Sequence, residues 1–246
     1  MTTVALIPAL NEAPSVGGVV ASLLPHVDRV VVVDNGSSDG TPGAARAAGG
    51  TVVVEPRRGY GSACLAGLAF VRALPSPPDV VVFLDADASD DVADLPALLA
   101  AIDGGADLVV GSRVRGQRDG RVEAGALLPQ ARWGNALACT LMRWRWGADF
   151  TDLGPFRAVR WPALDALGMT DTTFGWTVEM QVRAVEAGLP CAEVPVAYRK
   201  RIGVSKITGT LGGTVRAGAK ILWTIGRHAV RLSRRPEAAP ARPAVR

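Results

Sequence analysis

Val80-Val81-Val82-Phe83-Leu84 runs apolar without a break and closes on Asp85-Ala86-Asp87. A continuous apolar run suits a strand covered on both faces, as in a parallel sheet with helical crossovers; a strand with one wet face would alternate. Working outward, similar Val-, Ile- and Leu-rich runs occupy residues 4 to 8, 29 to 34, 51 to 55, 79 to 84 and 106 to 111, separated by Ala-rich segments of helix length. The alternation predicts an α/β fold on a mainly parallel central sheet. Beyond residue 112 it weakens. A basic, Gly-containing loop is expected over 112 to 130, a helix over 131 to 146, and helix mixed with added strands over 151 to 198.

At 246 residues and 48% hydrophobic composition, the chain can bury the core of one such domain. Cys64, Cys139 and Cys191 are odd in number and far apart, which suggests neither a disulfide framework nor a zinc site and fits a reducing cytoplasm. The N-terminus reaches polar Asn11-Glu12 too early for a signal peptide, and no uncharged apolar stretch approaches the roughly 20 residues of a membrane span. The net charge of +4 hides an asymmetry. Residues 199 to 246 hold twelve Lys or Arg against one acid, Glu237, a local +11 set against −7 over the remainder. An anionic partner for that end is expected.

Ligands of doubly covered sheets gather beyond the carboxyl ends of the strands. There the chain places Asn11-Glu12, Asp34-Asn35-Gly36-Ser37-Ser38-Asp39-Gly40-Thr41, Glu55-Pro56-Arg57-Arg58-Gly59 and Asp85-Ala86-Asp87 in turn. The one-residue spacing of Asp85 and Asp87 can aim two carboxylates at one hard cation, Mg²⁺ or Mn²⁺, bridging phosphates. As local structure alone, Asp87, Ser89 and Asp90 would cap a helix beginning near Asp91. Asp34 at a strand end could accept from a base N–H or a ribose hydroxyl, with Asp39 as a helix cap.

Ile7-Pro8-Ala9-Leu10-Asn11-Glu12, Val33 to Thr41, Gly59-Tyr60-Gly61 and Leu84-Asp85-Ala86-Asp87 occur in the order and spacing of glycosyltransferase family 2. Over about residues 3 to 210 the chain resembles the dolichyl-phosphate mannose synthase branch of that family. The resemblance implies a GT-A fold, with a nucleotide-sugar-binding half over 1–112 and an acceptor-side half over 113–210. It implies Pro8, Ala9, Glu12 and Asp34 around the base and ribose, Gly59 beside the nucleotide, and Asp85 and Asp87 at the metal and diphosphate. Inversion at the anomeric carbon is the family's usual outcome.

Later segments extend the resemblance. Gly111-Ser112-Arg113 and Arg132-Trp133-Gly134-Asn135 place Arg113 and Arg132 where relatives hold the acceptor phosphate, a role suited to a forked donor. Tyr198 to Lys206 resembles the basic loop that closes over the donor diphosphate, with Arg199, Arg201, Ser205 and Lys206 as donor contacts that stabilise growing negative charge. Pro155 departs from the family's usual Gly in the Asp152-Leu153-Gly154-Pro155-Phe156-Arg157 segment. If the acceptor is a hydroxyl, Asp152 or Glu179 must take its proton; a lipid phosphate is already ionised and needs no strong base. His26 and His228, read as a surface helix end and the tail, are not expected to serve.

At about 100° per residue, Arg216, Lys220, Arg227, Arg231, Arg234 and Arg235 share one sector of a helix over 211–235, while Ile221, Leu222, Ile225, Ala229 and Leu232 share another. Such a helix suits a membrane surface or, more simply, packs on the domain with its basic side solvated. Residues 236–246 read as a disordered tail. The six tryptophans could include interfacial anchors or sugar-stacking platforms, with buried structural roles expected for most. The expected partners are a nucleoside-diphosphate sugar and a lipid phosphate or small-molecule acceptor, peripheral to a membrane on its cytoplasmic side. A nucleic-acid partner is not expected, because it would leave the strand-end carboxylates without a purpose.

Overall fold

The structure, a computed structural model, describes residues 1–203 and 211–233. Ser205, Lys206, Arg234, Arg235 and the tail over 236–246 lie outside the described residues. The five apolar runs form β1 (Thr3–Ala9), β2 (Arg29–Asp34), β3 (Thr51–Val54), β4 (Val80–Phe83) and β5 (Leu108–Ser112). Between them lie α1 (Ala13–Leu23), α2 (Thr41–Ala47), α3 (Tyr60–Arg72) and α4 (Leu95–Asp103). The second half adds α5 (Arg113–Arg118), α6 (Pro129–Trp146), β6 (Arg157–Arg160), α7 (Trp161–Leu167), α8 (Trp176–Glu186), β7 (Cys191–Pro195) and α9 (Leu211–Ser233). Part of the loop expected over 112 to 130 is therefore the short helix α5. Ser112 caps it, its hydroxyl accepting from the Arg115 N–H at 3.1 Å.

Seven strands make one sheet in the order β3-β2-β1-β4-β6-β5-β7. Every pairing is parallel except the two made by β6, which runs antiparallel between β4 and β5. Both faces are covered, which is why the strands could be apolar throughout. Leu6, Val31, Val81 and Leu108 point into the layer that includes α3, α6 and α8, and Ala5, Val30, Val82 and Val109 into the layer of α1, α2 and α4.

The order reverses direction around β1 and β4, so the carboxyl ends of both open a crevice between diverging crossovers. Register brings Ala9 opposite Asp34 and Leu6 opposite Phe83, and so sets Glu12, Asp34 and Asp85 along one edge. Helix α9 packs against α6 and α8 with Ile225, Thr224 and His228 buried. His228 is thus part of the packed domain, its Nδ1 3.2 Å from Glu186 Oε2, and the assignment to a tail is corrected.

Candidate active site

A cavity of about 430 Å³ fills the crevice, walled by Pro8, Ala9 and Glu12 from β1, Asn35 from β2, Gly59 and Tyr60 at the start of α3, and Asp85 and Asp87 after β4. Thr173, Phe174 and Arg201 close it. The backbone makes this geometry affordable only at glycine in two places. Gly59 stands at φ 141°, and a Cβ there would lie 2.2 Å from the Thr172 carbonyl; one on Gly61 would lie 2.0 Å from that of Asp171. The close approach lets the Gly61 and Ser62 N–H groups donate to the Thr173 and Thr172 carbonyls, fixing the far wall against α3.

Asp34 is buried beneath the turn that follows β2, accepts from the Ser37 N–H at 3.3 Å, and is absent from the cavity wall. Its neighbour Asn35 stands there instead, donating to the Glu55 and Arg57 carbonyls and accepting from the Gly59 N–H at 2.8 Å. Sequence reasoning passed over Asn35 because an amide offers no charge to notice. Asp39 stands one residue ahead of Gly40, which takes the cap position of α2, and accepts from the Thr41 N–H at 3.0 Å and the Ala13 N–H at 3.3 Å at the starts of α2 and α1.

Asp87 does not cap the following helix: its Oδ1 accepts from the Ser89 N–H and hydroxyl, at 2.9 and 2.5 Å, and Asp91 takes the capping role. Ala88 next to it adopts φ 61°, a conformation unfavourable for a residue with a Cβ, held by the surrounding turn. Asp85, Asp87 and Asp90 converge here. Burial, then the Asp87 charge, pushes Asp85 up to about 7, while Arg113 and Arg201 oppose the shift. Burial followed by Asp85 and Asp87 also raises Asp90 well above its ordinary range, and its Oδ1 is buried without a hydrogen-bond partner.

Three carboxyl groups here face two guanidinium groups, Arg113 and Arg201, and the remaining negative charge and the unpartnered Asp90 Oδ1 are compatible with a divalent cation. Among the described residues no three acidic, His or Cys side chains are grouped so as to hold a metal ion by themselves. The fit is therefore to a hard ion held by one or two carboxylates that completes its shell with phosphate oxygens and water.

Arg201 spans the site. Its guanidinium meets Glu12 Oε1 at 2.6 Å and Asp87 Oδ2 at 3.2 Å, linking the β1 and β4 ends of the crevice. Arg199 turns outward to Asp91 and lines neither cavity.

A second cavity, about 290 Å³, adjoins the first and shares Tyr60, Asp85, Asp87, Phe174 and Arg201 with it. Arg113 enters from the start of α5, Gln130, Gly134 and Asn135 from the start of α6, and Ala217, Gly218 and Ile221 from α9. Arg113 stacks 5.1 Å from the Tyr198 ring and is gripped by Asp152, which accepts from its N–H, Nε and Nη2 at 2.8, 2.8 and 2.7 Å. That grip, with Asp152 almost wholly buried, corrects the expectation of Asp152 as a base: the carboxylate is consumed in holding Arg113.

Glu179 is likewise committed elsewhere. It accepts from the Thr170 N–H and hydroxyl, the Asp171 N–H and Arg183, and lines neither cavity. Burial raises its carboxyl, but the Thr170 hydroxyl, the two N–H groups and Arg183 outweigh this and hold it below the usual range. Arg132 also departs from expectation. It is exposed on α6 and borders a separate hollow with Leu127, Trp133 and Thr151, away from Asp85 and Asp87.

Comparison with known proteins agrees with this geometry. An uncharacterised glycosyltransferase of Mycobacterium tuberculosis is 42% identical, covering 86% of this chain and 92% of that one. An undecaprenyl-phosphate mannosyltransferase of Micrococcus luteus is 34% identical over 87% and 90%. Among solved structures, the fold matches glucosyl-3-phosphoglycerate synthase from Mycobacterium tuberculosis, determined with Mn²⁺, UDP and phosphoglyceric acid, at a TM-score of 0.72 and 22% identity over 93% of this chain and 78% of that one. The family model described as glycosyl transferase family 2 matches residues 4–168. Two adjoining cavities meeting at strand-end carboxylates on a GT-A sheet, with these matches, make the chain a member of glycosyltransferase family 2.

Proposed function

We propose that this enzyme transfers a sugar, with inversion, from a nucleoside-diphosphate sugar to a polyprenyl- or dolichyl-type phosphate at the cytoplasmic face of a membrane. The observation that carries the reading is the shared wall of the two cavities. Asp85, Asp87 and Arg201 border both, so a donor in the larger and an acceptor in the smaller would meet there. The larger cavity has the size of a small-molecule site. Glu12, Asn35, Pro8 and Ala9 would receive the nucleoside, and Asp85 and Asp87 would hold Mg²⁺ or Mn²⁺ with the diphosphate. Bound there, such an ion would supply positive charge to the departing diphosphate.

Arg113 supports a phosphate as the acceptor. Its guanidinium is oriented by Asp152 and Tyr198 toward the smaller cavity, and neither Asp152 nor Glu179 lines that cavity as a base. An ionised phosphate oxygen needs none. It forms a bond to the anomeric carbon as the bond from that carbon to the diphosphate oxygen breaks, and the electron pair leaves with the diphosphate. Arg201 is placed to follow that charge, since it already reaches Asp87. Ser205 and Lys206 are proposed to complete the donor contacts.

The reading is tested by titrating a panel of nucleotide sugars with and without Mn²⁺ or Mg²⁺ while following thermal unfolding, then offering undecaprenyl phosphate or a small alcohol in detergent. A metal-dependent rise in Tm with one donor, lost in Asp87→Ala, is expected, followed by transfer to the lipid phosphate. No metal-dependent shift with any donor would refute the donor assignment; transfer to the alcohol alone would refute the acceptor.

A further inference from the structure

Helix α6 turns its most apolar surface away from the core. Trp133, Leu137 and Trp144 fall within about 40° of one another on the helix, and the two indoles are 79% and 82% exposed. The opposite side, Ala138, Cys139 and Met142, is the one packed on the domain. Helix α9 lies beside α6 and runs the same way. Residues near the start of both helices line the acceptor cavity, and near their ends Arg145 Nη2 donates to the Ala229 carbonyl at 3.3 Å. On α9 the buried side is Thr224, Ile225 and His228, which leaves Leu222, Trp223 and Val230 exposed on the outer side. Each helix therefore turns large apolar side chains away from the packed core, and residues near the start of both line the smaller cavity.

The charge the two helices bring is net positive, although Arg143 is paired with Asp149 and Lys220 with Asp171. Neither helix contains an acidic residue, whereas α6 bears Arg132, Arg143 and Arg145 and α9 bears Arg216, Lys220 and Arg227. Arg227 and Lys220 lie against the Trp223 ring at 5.3 and 4.3 Å, setting cations beside an exposed indole. Tryptophans at the rim of an apolar strip, flanked by Lys and Arg, match the chemistry of a bilayer interface, where indoles sit at headgroup level and cations meet anionic lipid. A second copy is disfavoured as the occupant, because a twofold contact would press like charge on like charge. Among the described residues no helix is long and apolar enough to cross a membrane, so attachment through this face is in the plane of the surface.

We infer that the outer face of α6 and α9 is a docking surface for an anionic lipid bilayer, with Trp133 and Trp144 as the inserted anchors, so that the acceptor cavity opens against the headgroups. This rests on the membrane-face reading above and names the surface that would realise it. The basic stripe of α9, which the sequence put forward alone, becomes the flank of a two-helix face.

The test is co-sedimentation of the full chain with phosphatidylcholine vesicles, with and without phosphatidylglycerol, and with no polyprenyl phosphate present, so that the choice of acceptor does not enter. Wild type is expected to sediment with the anionic vesicles only, with a blue shift of tryptophan emission. Trp133→Ala/Trp144→Ala should lose about a hundredfold in partitioning, about tenfold for each indole withdrawn, while Leu24→Ala, exposed on α1's end, binds as wild type. Because both indoles are exposed, unchanged melting and unchanged donor-induced stabilisation should certify the fold of the double variant.

Wild type left in the supernatant, or a double variant that binds undiminished, would overturn the inference. So would a dimer in sedimentation velocity that the double variant dissolves, since the face would then belong to a second copy. Vesicle binding without transfer to a lipid phosphate in detergent would leave this inference standing and remove the acceptor reading.

Discussion

Replacing Asp152 by Asn separates two readings of the acceptor side. The carboxylate takes three hydrogen bonds from Arg113, two of them a forked pair to the guanidinium, and is almost completely buried, while the arginine is 17% exposed at its side chain. Asn keeps the shape and one acceptor oxygen but removes the charge and one prong of the fork. Breaking a buried pair costs about 3–5 kcal/mol when a charge is left uncompensated, and the surviving acceptor places Asp152→Asn at the lower end. At about 2–4 °C per kcal/mol for a chain of this size, Tm should fall by about 6–12 °C.

In steady-state kinetics with undecaprenyl phosphate, the loosened Arg113 should raise the acceptor KM about tenfold, which corresponds to about 1.4 kcal/mol of one charge-assisted contact. Donor KM and the shape of the pH profile should not change. Loss of a general base would look different: kcat lower by about 10²–10⁴ with the acidic limb of the profile gone. That second pattern would refute the assignment of Asp152 as a positioning residue.

Gly61→Ala would drive a Cβ to within 2.0 Å of the Asp171 carbonyl, so a stability loss of about 1–3 kcal/mol and weaker donor-induced stabilisation are expected in parallel melts. Lys220→Met removes the cation 2.8 Å from Asp171 Oδ2, whose other oxygen fixes the Thr173 and Gly175 N–H groups of the donor wall. Donor KM should rise about 2- to 30-fold with kcat retained, and Lys220→Arg should restore it; an unchanged KM would disconnect α9 from the donor site. Glu179 is held below its ordinary value, so its contribution to stability is full above the unfolded value of 4.5 and is lost as pH falls through the folded value. The Tm difference between wild type and Glu179→Gln should therefore be largest near neutrality and shrink in acid, with no effect on the pH profile of transfer.

The five leading strands were legible because each is an unbroken apolar run, and the edge of carboxylates followed from where those runs stop. Strand β6, Arg157-Ala158-Val159-Arg160, has no such run: its place between β4 and β5 is fixed by long-range pairing, and Arg157 is buried by donating to the Leu153, Gly154 and Thr177 carbonyls. Site residues were legible by type but not by role. Asp152 and Glu179 are both acids in the expected segments, yet what decides their chemistry is an arginine already bound to each. For Glu179 that arginine lies one helical turn on, at Arg183, and could have been noticed. For Asp152 it lies 39 residues back, and the ion pair from Arg201 to Glu12 spans 189.

The same reasoning explains why the outer face of α6 escaped a reading of the sequence. Trp133, Leu137 and Trp144 recur at helical spacing, which describes a core stripe as well as it describes an anchor. Ala138, Cys139 and Met142 form a rival stripe of smaller side chains on the other side, and it is this one that meets the sheet. Small residues let α6 approach the core closely, and the bulky ones are left for whatever lies outside. The tryptophan expectation holds for half of them: Trp161 and Trp176 are buried and Trp146 is partly buried against the core, but Trp133, Trp144 and Trp223 are exposed, all three on the two helices that flank the smaller cavity. A periodic apolar pattern gives the axis of a helix face but not its sign. Only packing supplies the sign, and here it separates the donor side, built from strand ends whose direction the sequence shows, from the acceptor side, built from helices whose outward face it does not.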